Sequence, residues 1–112
     1  MNILKKSENI TPKELYLLTK SSRGHGMREV VGQKIDIAAW VIYEDVRSET
    51  GELSKICSIL THEGEVYATN SRTFTEDFAD IVDMFDGDVH TIQVVERKSK
   101  KNRPVLFAEY AE

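Results

Sequence analysis

The chain has 112 residues, 40% of them apolar, and a formal net charge of -4, which suits one small domain with a single modest core. No apolar run approaches the ~18 residues of a membrane span and no signal peptide with a small-residue cleavage site is present, so the expectation is a cytoplasmic protein without a membrane partner. The lone Cys57 rules out an internal disulfide framework and a cysteine-rich metal site; within Ile56-Cys57-Ser58-Ile59-Leu60 it reads as a buried thiol.

Met1 to Asn9 reads as a loosely held tail. Thr11-Pro12-Lys13-Glu14 then starts a helix, with Thr11 as cap, Pro12 at the first helical position and Glu14 reaching back as the third residue of a capping box. The helix runs to about Lys20 with Leu15, Leu18 and Tyr16 on its apolar side, and it is short enough to need a surface to dock on. Ser21 to Gly26 reads as a flexible loop.

From Lys34 to Val46 the residues alternate. Ile35, Ile37, Ala39, Val41 and Tyr43 fall on one face, and Asp36, Ala38, Trp40, Ile42 and Glu44 on the other. This is long for one straight strand and implies a bend or bulge. A loop around Arg47 to Gly51 leads to a second strand, Glu52 to Thr61. His62-Glu63-Gly64 is a tight connection to a third, Glu65 to Thr69. The period then changes: Phe74, Phe78, Ile81, Val82 and Phe85 make a helical apolar stripe, Thr73 and Glu76 a second capping box, and Asp77, Asp80 and Asp83 the solvent side. Asp86-Gly87-Asp88 ends the helix, Val89 to Val95 makes a fourth strand, and Pro104 to Tyr110 a fifth.

The predicted class is mainly β. It is a five-stranded, OB-like antiparallel barrel over residues 32–112, with a helix between strands three and four, preceded by a tail, short helix and loop over 1–31. An SH3-like barrel or a curved α+β sheet would carry the same order of elements.

Between the last two strands, Glu96 to Arg103 holds five positive charges and one negative in eight residues. The segment 35–95 by contrast holds three Lys/Arg against thirteen Asp/Glu. A concentrated basic loop in an acidic protein points to a polyanion, and nucleic acid is the obvious one. Arg97, Lys98, Lys100, Lys101 and Arg103 are the candidate phosphate contacts, with Arg47, Lys55 and Arg72 as companions. A merely solubilising hairpin tip is the plainer alternative. Aromatic rings stack on the bases of single strands without reading sequence. Trp40, Tyr43 and Tyr67 are the candidates for that role, against the alternatives of burial under the N-terminal helix for Trp40 and a core-edge position for the two tyrosines. His25, His62 and His90 lie far apart, the Asp77/Asp80/Asp83 row suits a solvated face, and Gly24-His25-Gly26 lacks the context of a phosphate loop. No enzyme, cofactor or metal is expected.

Ile35 to Tyr43, Leu53 to Leu60, Gly64-Glu65-Val66-Tyr67-Ala68-Thr69-Asn70-Ser71, the helix through Ile81-Val82 and the closing Asn102-Arg103-Pro104-Val105-Leu106-Phe107 together carry a resemblance. Over roughly residues 32–110 the chain resembles the single-stranded DNA-binding proteins of phages that infect Gram-positive bacteria, the phi29-type phages in particular. The resemblance implies an OB-like barrel and binding of single-stranded DNA with little sequence preference. It also implies protection of strands displaced in phage or mobile-element replication, and no enzymatic activity. Tyr67 and Tyr43 would then stack on bases and the 97–103 loop would contact the backbone. The partners expected are single-stranded DNA, further copies side by side along it and a replication protein, in the cytoplasm of a bacterial host. No long acidic, glycine-rich tail is present to recruit partners in the manner of cellular single-strand binders. A small interaction module acting on a host or replication partner through the acidic helix face is the rival reading. Exposure of Trp40, Tyr43 and Tyr67 on one face with the basic loop would discriminate against it, and dispersed or buried rings would favour it.

Overall fold

The structure is a computed structural model that describes residues 1–21, 24–46 and 49–111. The alternating run from Lys34 to Val46 forms two strands, β3 (Lys34–Asp36) and β4 (Ala39–Val46), which belong to different sheets. At the junction two consecutive amides bond to opposite sides: Ile37 N–H donates to His90 O at 2.8 Å and Ala38 N–H to Leu60 O at 2.8 Å. This adds half a pleat to the chain. Ile35 and Ile37 therefore share their cluster with Trp40 and Ile42, while Ala39, Val41 and Tyr43 enter a second cluster on the other side. The single face expected for Ile35 through Tyr43 is corrected accordingly: its phase changes at the bend.

The other elements, in chain order, are β1 (Asn2–Lys6), α1 (Pro12–Thr19), β2 (His25–Gly26), a 3-10 turn at Met27–Val30, β5 (Leu53–Leu60), β6 (Val66–Thr69), α2 (Arg72–Met84), β7 (Thr91–Lys98) and β8 (Pro104–Ala111). A five-stranded sheet has the order β1-β4-β5-β6-β2, with β2 parallel to β6, and a three-stranded antiparallel sheet has the order β3-β7-β8. The class is mainly β with two helices, and the ladder does not close into the expected barrel. Both edges that closure would join are occupied. His25–Gly26 pairs along the outer side of β6. α2 accompanies β8, where the Ala108 amide bonds the Asp77 carboxylate. Such cover blunts an edge against pairing with another strand.

Met1 to Asn9 is corrected from a loose tail. Residues 2–6 pair antiparallel with β4, Ser7 N–H donates to Trp40 O at 3.0 Å, and the Trp40 amide donates to Ser7 Oγ at 3.0 Å. α1 has the expected capping box, with Glu14 N–H on Thr11 Oγ1 at 3.1 Å and Thr11 N–H on Glu14 Oε1 at 2.9 Å. It lays Leu18, with Leu15 and Leu17, on Ala39, Val41, Tyr43, Leu60 and Val66. Tyr16, expected on that side, is exposed.

α2 starts earlier than the Thr73/Glu76 pattern suggests. Ser71 is the cap and its hydroxyl accepts from Phe74 N–H at 3.3 Å. Phe74, Phe78 and Val82 are buried as expected. Phe85 is not: it follows the last helical turn and stacks on Tyr110 at the surface, with 4.1 Å between ring centres. Asp77 is half-buried, unlike the exposed Asp80 and Asp83. Cys57 is fully buried, and burial raises its thiol pKa far out of the reactive range. Among the described residues no helix is long and apolar enough to cross a membrane.

Candidate nucleic-acid interface

The basic run forms the end of β7, a tight turn and the start of β8. Arg97 pairs with Val105 and Lys98 with Pro104 across the hairpin. The turn is held by Ser99 N–H on Arg103 O and Asn102 N–H on Ser99 O, both 2.8 Å, with Asn102 at φ 61°. Asparagine tolerates this left-handed conformation better than most residues. Arg97 is engaged: its Cζ lies 5.3 Å from the Phe107 ring centre and its Nη2 3.4 Å from Glu109 Oε2. Lys98, Lys100, Lys101 and Arg103 are exposed and have no ion-pair partner among the described residues. Four unpaired cations on one short turn make a local positive field in an acidic protein.

Lys55 and Arg72 border one trough of about 420 Å³, together with Leu53, Ser54, Asn70 and Glu76. Arg72 Nε lies 2.9 Å from Glu76 Oε1, an exposed pair at helical spacing. Asp77 of α2 touches Ala108 and Phe85 stacks on Tyr110, so α2 runs in the same sense as β8. The start of the helix, with Arg72, therefore lies toward the basic hairpin.

The aromatic candidates are placed differently from expectation. Trp40 is only 6% exposed and packs edge-on against Phe78, 5.3 Å between centres, in the core cluster under α2 and not under the N-terminal helix. Tyr43 is 6% exposed on the opposite face of the sheet, under α1, and its hydroxyl pKa is raised by burial and then by Asp45. Neither presents an open ring face, because the half-pleat and the two helices cover both sides of β4. Tyr67 is half-buried, its ring 5.5 Å from that of His25, whose nitrogens lie 2.9 Å from Glu65 and 3.4 Å from Glu29. Arg47 lies outside the described residues.

The expected set omits the outer face of the three-stranded sheet. Leu106 and Ala108 point to the core, so Val105 and Phe107 point away from it, beside Val95 and Arg97 of β7. Lys34 and Gln93, a cross-strand pair, stand further along the face. The alternation in Pro104 to Ala108 already carried this signal.

A larger cleft of about 670 Å³ lies between the start of the chain and the end of α2, lined by Lys5, Trp40, Asp83, Asp86, Asp88 and His90 among others. Lys5 Nζ is 2.8 Å from Asp83 and His90 Nε2 is 2.7 Å from Asp88. Its acidic rim disfavours phosphate. Among the described residues no three His, Cys, Asp or Glu side chains converge as a metal site.

A profile of the family described as phage single-stranded DNA-binding protein matches residues 15–108. No curated protein and no solved structure gives a match. The match begins within α1, takes in all of α2 and ends in β8, and the chain belongs to this phi29-type phage family. Single-stranded DNA binding is thereby its general activity, and the family is non-enzymatic.

Proposed function

We propose that this member of the phage single-stranded DNA-binding family coats exposed strands during phage or mobile-element replication, without reading their sequence and without chemistry. The observation that carries the reading is the hairpin, where Lys98, Lys100, Lys101 and Arg103 stand unpaired among the described residues. Flexible ammonium groups suit a backbone whose phosphates recur but whose bases vary. Lys55 and Arg72 extend the track toward the trough at the start of α2. Occupancy of a long strand then requires many copies along it, in the cytoplasm of the bacterial host. The OB-like reading is retained in its looser sense: a bent first strand shared by two sheets, with the closing contact made by a helix.

The test is anisotropy of a labelled oligo(dT) titrated with the protein across a salt series. Trp40 emission is a poor reporter, since that ring is in the core. Saturable binding is expected at low salt, with equal affinity for mixed-sequence strands of the same length. The logarithm of affinity should fall linearly with the logarithm of salt concentration. Absence of binding at low salt defeats the proposal.

A further inference from the structure

The two sheets differ in how they are covered. α1 and its apolar cluster close one face of the five-stranded sheet, and the main core closes the other. The three-stranded sheet buries Ile35, Ile92, Val94, Leu106 and Ala108 on its core side, where α2 packs. Neither helix lies on its outer face, which presents Phe107 among Val95, Arg97 and Gln93.

We propose that Phe107 is a base-stacking residue, with Arg97 as its flanking cation and the Lys98–Arg103 turn holding the adjoining phosphates. The inference rests on the single-strand reading above and gives it a floor for the bases. Three observations support it. Phe107 and the unpaired cations share one hairpin, so a base on the ring leaves its neighbouring phosphates beside the turn. The ring already has a flat cationic group 5.3 Å from its centre, the geometry in which a planar partner is held against an aromatic face. Among the described residues that guanidinium's one ion pair is a 3.4 Å exposed contact to Glu109, weak enough to yield to a phosphate.

The other rings are placed elsewhere. Trp40, Tyr43, Phe74 and Phe78 are buried, Phe85 and Tyr110 stack on each other, Tyr67 adjoins the His25–Glu65 pair, and the exposed Tyr16 stands on α1, which packs on the other sheet. Phe107 alone among the described aromatics is half-buried on an uncovered face next to unpaired positive charge.

The experiment compares wild type, F107A and F107W on labelled oligo(dT) and on an abasic strand of equal length. F107A should bind oligo(dT) about tenfold more weakly, as expected for one lost stacking contact. It should bind the abasic strand as wild type does and keep the wild-type salt slope. F107W should restore oligo(dT) affinity, and its added emission should be quenched by oligo(dT) and not by the abasic strand. Wild-type affinity in F107A overturns the assignment, as does an equal loss on both strands. If F107A unfolds, the tryptophan variant decides, and an unquenched signal on saturation with oligo(dT) overturns it. A wild-type protein that ignores oligo(dT) defeats the single-strand reading itself, a result separate from any behaviour of the variants.

Discussion

Asp77 sits half-buried on α2 beside the outer edge of β8, the one acid of its row turned toward the sheet. Burial, then Asp80 and Glu76, raise its pKa above the ordinary 3.8, while the Ala108 amide and Arg97 act in the other direction. At pH values just above 3.8 the folded protein retains a proton that the unfolded chain has released. The stability this gives is complete at lower pH and is lost as pH rises through the folded value. A side-chain amide in place of the carboxylate would not ionise, and its carbonyl oxygen would still accept the Ala108 N–H. D77N should therefore be at least as stable as wild type at pH 7, with the difference shrinking near pH 3.5 in urea unfolding. A pH-independent difference, or a clear loss at pH 7, would show that the carboxylate's edge contact outweighs its burial.

On the proposed reading the β7–β8 hairpin carries the phosphate contacts. Replacing Lys98, Lys100 and Lys101 by alanine should weaken binding about equally for all sequences. With about 0.7 of log–log slope per phosphate contact on single strands, the salt slope should flatten by about 2. Affinity and slope both unchanged in the oligo(dT) titration would remove the hairpin from the binding surface. Much of this element was legible beforehand, since five cations and one anion in eight residues have no place in a core. The capping box of α1 was equally legible, being local. Trp40 was not, because its side of the sheet depends on amides at Ile37 and Ala38 reaching His90 and Leu60, partners distant in sequence. Phe85 misled for a related reason: the apolar stripe continues one residue past the helix, where no core awaits it. The pairing of residues 2–6 left little trace either, since an edge strand with only Ile3 turned partly inward looks polar.

Across the whole molecule, charge and cover are separated. The hairpin is basic, the end of α2 and the cleft beside it are acidic, and the N-terminal strand closes the far edge of the larger sheet. Deleting residues 1–6 would open the β4 edge and remove Ile3, which packs with the α1 cluster. The expected cost is about 2 kcal/mol from the lost apolar burial and edge hydrogen bonds. Concentration-dependent association through the bare strand should follow. Oligo(dT) affinity should be retained, because the hairpin belongs to the other sheet; urea unfolding, gel filtration and the titration check the three parts. A final consequence comes from the half-pleat at Ile37–Ala39. Because the chain changes phase while passing between sheets, Ile35 and Ile37 meet Trp40 and Ile42 in one core, while Ala39, Val41 and Tyr43 serve the cluster under α1. Substitutions in Lys34–Asp36 are judged by the sheet that carries Phe107, and those in Ala39–Val46 by the helices on either side. The junction thus works as a splice: outward positions of the three-stranded sheet, Lys34 among them, can vary without touching the cluster under α1.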